Sequence, residues 1–137
     1  MGPTTRLPAP RQGTHHPALV SQALTIAVEH RSDGITVAHF SGEVDARSTC
    51  ALRRFTHELP EETTGLVLDL RDVQFFGATG LALLVDLAEN ARTRDRPLAL
   101  ATTDRLVLRP LEATGYIELV AVYPSVDAAA EAVLTAR

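Results

Sequence analysis

The side chains able to do chemistry are few, and they do not converge. His30, His39 and His57 fall on different predicted elements, without the spacing that a shared metal ion requires. Asp69 and Asp72 flank the end of a predicted strand, where an α/β protein can hold an active site. No nucleophile, base and oxyanion donor assemble around them, so both read as strand-end charges facing water. His39, within a strand, reads as a packing or surface residue. There is no phosphate-binding glycine loop of either common type and no G-x-S-x-G nucleophile turn. His15 and His16 stand together without a third ligand nearby. Cys50 is the single cysteine, which excludes an internal disulfide and a cysteine-rich zinc site. It lies in the first turn of a predicted helix, where the helix dipole favours a thiolate. Exposed, it would be a redox handle or a link between two chains; buried, the usual case, it is inert. These residues point to a binding protein without metal or cofactor rather than to an enzyme.

Composition narrows the partners. The 137 residues suit one domain, and 45% apolar content supplies a modest single core. All thirteen basic residues are arginine, and the net charge is −4. Arg6 and Arg11 are the only charges in residues 1–20, so the rest of the chain is more acidic still. Nucleic acid attracts clustered cations and is not an expected partner. No apolar run reaches the roughly 18 residues that cross a membrane, and no signal-type stretch opens the chain. A cytoplasmic location is expected, as a monomer or weak homodimer.

The elements follow from periodicity. Residues 1–20 hold Pro3, Pro8, Pro10 and Pro17 and no hydrophobic period, so they read as a disordered tail before a domain over 21–137. Leu24, Ile26 and Val28 alternate as a half-buried strand, and Ser32-Asp33-Gly34 turns it into a second strand over Ile35–Phe40. Ser48 or Thr49 caps a helix whose Leu52, Phe55 and Leu59 share one face, ended by Pro60. Leu66–Leu70 reads as a buried central strand, and the longest helix spans about Gly80–Arg94. Leu98–Ala101 and Leu119–Val122 complete the strands. Helices over about Asp104–Thr114 and Val126–Thr135 complete the order ββαβαβαβα, with Gly115 closing the first of them. Pro110 predicts a kink or a late start there. The result is an α/β fold, a mixed sheet of about five strands with an N-terminal hairpin and four helices.

Several segments, in this order, resemble the STAS family, the sulfate transporter and anti-sigma factor antagonist domains. They are Gly42-Glu43-Val44-Asp45, then Leu66-Val67-Leu68-Asp69-Leu70, then Val73-x-Phe75-Phe76-x-x-Thr79-Gly80-Leu81, and finally Thr114-Gly115-Tyr116. The resemblance implies the STAS fold over about Leu24–Thr135 and an anti-sigma factor partner with a histidine-kinase-like ATPase fold. In the family that kinase phosphorylates a Ser or Thr in an Asp-Ser-Ser/Thr-Gly segment opening the long helix, which releases the complex, and a phosphatase resets it. Here the segment is Gly77-Ala78-Thr79-Gly80, with Gly77 in place of Asp and Ala78 in place of the acceptor hydroxyl. Thr79 is the one remaining hydroxyl, either the helix N-cap or a candidate phosphosite. Two alternatives share the fold: a STAS subunit binding the ATPase of a lipid ABC transporter, or a redox- or ligand-sensing module.

Periodicity then suggests a docking edge. Leu81, Leu84, Val85 and Ala88 form one stripe of the long helix, expected to face the sheet. Leu83 and Leu87 would then sit together on an outer edge, apolar where water is expected. With Gly42, Glu43, Asp45 and Gly77–Gly80 they make the expected partner surface. Glu43 and Asp45 would meet arginines of the partner, or Asp45 would simply hold its own turn.

Overall fold

The computed structural model of the chain describes residues 13–15, 19–20 and 23–136. The predicted hairpin is present as β3 (Leu24–Arg31) and β4 (Ile35–Val44), antiparallel, with Leu24, Ile26 and Val28 buried on one face. Two short strands, β1 (Gly13–His15) and β2 (Leu19–Val20), pair with the outer edge of β3. The expected disordered tail is therefore interrupted by ordered backbone, because edge pairing needs main-chain groups and no hydrophobic period. The rest of that tail, His16 included, lies outside the described residues.

β4 leads through one 3₁₀ turn, Ala46–Ser48, into α1 (Thr49–His57). β5 (Gly65–Phe76), α2 (Ala78–Arg94), β6 (Leu98–Ala101), α3 (Arg105–Thr114), β7 (Ala121–Tyr123) and α4 (Val126–Thr135) follow. Strands β4 to β7 are mutually parallel and lie in sequence order, so β3 to β7 form the expected five-strand mixed sheet. No described helix is long and apolar enough to cross a membrane.

The two faces of the sheet carry different loads. Phe40, Leu68 and Leu70 pack with Leu52 and Phe55 of α1, Leu84 of α2, and Val107 and Leu111 of α3. Phe40 and Phe55 meet edge to face, with ring centroids 5.8 Å apart. On the other face α4 alone covers Ile35, Val37, Val67, Ala99 and Ala101 through Ala129, Ala130 and Val133. Burial on both sides explains the near-continuous apolar run of β5.

Several details differ from the pattern reading. β4 runs past Phe40 to Val44, so Gly42–Val44 still pairs with β5, and only Asp45 lies beyond the strand. β5 continues past Leu70 to Phe76. The last strand begins at Ala121, since Tyr116–Leu119 forms a 3₁₀ turn after Gly115. α3 runs through Pro110 from a proper start, the Asp104 carboxylate accepting from the Leu106 amide at 2.9 Å. Proline removes the amide that would bond the Leu106 carbonyl one turn earlier, and Leu106 is 37% exposed, so water can serve that carbonyl.

Candidate functional site: the sheet end at the start of α2

Because β4, β5 and β6 are parallel, their C-terminal ends share one end of the sheet. This places the Gly42–Asp45 segment beside the opening of α2, as expected. The Gly77 amide donates to the Val44 carbonyl at 3.1 Å and ties the two segments directly. Gly42 has φ +112°, and a Cβ there would overlap the Ala23 carbonyl oxygen, which accepts from the Glu43 amide at 2.8 Å. Glycine is thus required where β4 bends against the start of β3.

The loop's acids are already engaged. Arg47 forms ion pairs with Glu43 and with Asp45, the latter at 2.7 Å. Asp45 accepts from the Arg47 amide at 2.9 Å, and buried Ser48 donates its hydroxyl to the Glu43 carbonyl at 2.8 Å. The Arg47 guanidinium holds the Asp45 carboxyl below its ordinary range. Asp45 does hold its own turn, as one of its two expected roles requires.

The opening of α2 departs from expectation. Gly77 is the N-cap and supplies no side-chain acceptor, so Thr79 is the second helical residue and not the cap. The helix starts two residues early because Gly77 leaves the strand in an extended conformation and the chain turns helical at once. First-turn N–H groups consequently lack an intramolecular side-chain partner. Ala78 is exposed, Thr79 half-buried and Gly80 buried. A Cβ on Gly80 would lie 2.6 Å from the Phe76 ring.

That contact sets the rotation of α2 and overturns the expected docking edge. Leu83 is 7% exposed and Leu87 2%, so both lie inside, with Gly80 and Leu84. Gly80, Leu83, Leu84 and Leu87 form the true i, i+3, i+4, i+7 stripe, one residue out of phase with the expected one. Leu81, Val85 and Ala88 are only half-buried. The exposed apolar groups at this end of the sheet are instead Phe75, at 49%, and Leu106. Leu83 forms part of a cleft between α1 and α2, lined also by Leu52, Ala82, Thr79, Arg53, His57 and Asp86. Cys50 is exposed and free, contrary to the usual buried thiol.

A second polar cluster, unseen in the sequence, lies on the α4 side of the sheet. Asp69 is 5% exposed and sits beside His39 in the β4–β5 register. His39 Nδ1 is 2.7 Å from Asp69 Oδ2, and His39 Nε2 is 3.6 Å from Glu29 Oε1. Arg71 Nε donates to Asp69 Oδ1 at 2.8 Å. Asp69 therefore does not face water, because β5 runs on past it, while Asp72 is exposed. The Asp69 hydrogen bond raises the His39 pKa above its ordinary value, against the opposing effect of burial. For Asp69, burial favours the neutral acid, but hydrogen bonds from His39 and Arg71 outweigh it and hold the carboxyl far below its usual range. The clue in the sequence was one acid inside the run Leu66–Leu70, which a buried strand tolerates only with a cation alongside. With Asp69 saturated by these bonds, the cluster works as a structural ion pair.

The architecture, with two segments tied together at one end of the sheet, is that of a small α/β domain. Residues 26–129 match the STAS domain family, and the chain belongs to that family. It is similar to the anti-sigma-F factor antagonist RsfA of Mycobacterium tuberculosis, 30% identical over 126 residues, covering 90% of this chain and 98% of the relative. Among solved structures it resembles an anti-sigma factor antagonist from Mycobacterium paratuberculosis, with a TM-score of 0.68 and 29% identity over 81% of this chain and 94% of that one. It also resembles a sulfate transporter family protein from Wolinella succinogenes, with a TM-score of 0.64 and 26% identity over 75% and 88% of the two chains.

Proposed function

We propose that this chain is an anti-sigma factor antagonist, a cytoplasmic and non-catalytic module. It binds an anti-sigma factor of histidine-kinase-like ATPase fold and so regulates sigma-factor-dependent transcription. The observation that carries this reading is the open start of α2: exposed Ala78, and first-turn amides with no side-chain acceptor. Such a helix end attracts acceptor groups of a partner. Exposed Phe75 lies beside it, and burying the half of that ring still in water would contribute roughly 1 kcal/mol to a complex. The Glu43–Asp45 loop flanks the same spot, and Gly42 and Gly80 act by permitting the close approaches that shape it. The names of the similar proteins support the same role.

Ala78 gives a kinase-type partner no oxygen to phosphorylate at the family's acceptor position. The complex is therefore not dissolved by phosphorylation there. Two measurements test the reading. Replacing Ala78 by Arg should weaken binding to the purified cognate anti-sigma factor more than tenfold in calorimetric titration, with an unchanged thermal melt. Incubation of the native pair with ATP should leave this chain unlabelled by mass spectrometry. Unaltered binding by the Ala78→Arg variant would remove the docking site, and stoichiometric phosphate on Thr79 would restore a conventional switch.

A further inference from the structure

The outer side of α2 next to the helix start is not a ridge of leucines but a recess. Its floor is Leu83 from α2 and Leu52 from α1, both buried, and exposed Ala82 lets the recess open outward. Thr79 lines it, so the recess is continuous with the proposed docking site. The walls carry opposite charges. Arg53 stands on the α1 side, with the His57 ring beside it, and Asp86 on the α2 side, all exposed. Among the described residues none of these three takes part in an ion pair, whereas neighbouring Arg54 pairs with Glu58 and Arg92 with Glu89. A cleft whose two walls bear opposite, unspent charges over an apolar floor is complementary to a chain segment that presents an apolar side chain between an acid and a base.

Building on the docking reading above, we propose that the α1–α2 cleft is a socket for the anti-sigma partner. The partner inserts one aliphatic or aromatic side chain onto Leu52 and Leu83, with an acidic residue against Arg53 and His57 and a basic residue against Asp86. This chain supplies the hole and its partner supplies the knob. Small Ala82 keeps the mouth clear, and the opposed charges fix the direction in which the partner segment lies.

Four variants of the full chain, titrated with the purified cognate anti-sigma factor, test this. Ala82→Phe fills the socket and should weaken binding at least tenfold. Arg53→Glu and Asp86→Arg should each weaken it several-fold, more strongly at low ionic strength, where surface charges are least screened. Glu131→Gln, on the exposed side of α4, should bind as the native chain does. Arg53 is exposed, so its variant keeps the test valid even where Ala82→Phe disturbs folding. Native-like binding by Ala82→Phe and Arg53→Glu, alongside loss in Ala78→Arg, would overturn the socket while leaving the docking site in place. Native-like binding by all three would overturn both. A change in the sedimentation coefficient of the free chain on Ala82→Phe, with partner binding intact, would assign the cleft to a second copy and overturn the proposal.

Discussion

Two ion-pair clusters, one at the loop beside α2 and one on the α4 side of the sheet, use the same chemical groups to opposite ends. At the loop, Arg47 spans Glu43 and Asp45 in water, and all three stay accessible. In the sheet, Asp69 is shut away between His39 and Arg71, and Glu29 completes the group. Exposed pairs contribute little and can be exchanged for other partners. A buried carboxylate cannot change partners without leaving its cations stranded. The first cluster is suited to recognition, and the second locks β3, β4 and β5 in register.

The contrast can be broken most sharply at Asp69. Asp69→Ala removes the acceptor that His39 and Arg71 share and should cost roughly 2–4 kcal/mol in urea unfolding, a loss tempered by the partial exposure of His39 and Arg71. A loss no larger than that of an exposed pair would show the cluster to be dispensable.

Acidity gives a smaller and signed effect. His39 has its pKa raised on folding, so its stabilisation is fully present below the unfolded value near 6.5 and fades as pH rises through the folded value. Asp69 has a depressed pKa, so its contribution holds above the ordinary carboxyl range and is lost as pH falls towards the folded value. Melting temperature should therefore decline from pH 6 to 9, and His39→Gln should flatten that decline and weaken the acid limb, which Arg71 is left to sustain.

The smallest stability effect belongs to the loop. Arg47→Ala should leave the melting temperature unchanged, yet alter the salt dependence of association with the partner, because it frees Glu43 and Asp45. A marked drop in melting temperature would mean that the loop cluster is structural after all.

Most of the architecture was legible because it rests on local signals. Alternation at Leu24, Ile26 and Val28, the Ser32–Gly34 turn and Gly115 each act within a few residues. The rotation of α2 was not, because the helix is apolar on more than one side and two stripes fit the same period. The ring of Phe76 against Gly80 selects between them, a contact made only when β5 is in place. The Thr79 cap failed for a related reason: Gly77, without a side chain, took the cap position two residues earlier. Asp69 looks like a strand-end charge in the sequence because the apolar run stops at Leu70, whereas the strand continues to Phe76 and its register brings His39 and Arg71 alongside.

Exposed Cys50 has a practical corollary. The chain has no lysine and one sulfhydryl, and that sulfhydryl lies three positions before Arg53 on α1. A maleimide dye would attach at a single known point on α1, one turn before the Arg53 that lines the recess, where the arrival of another polypeptide should change its fluorescence without any engineered handle.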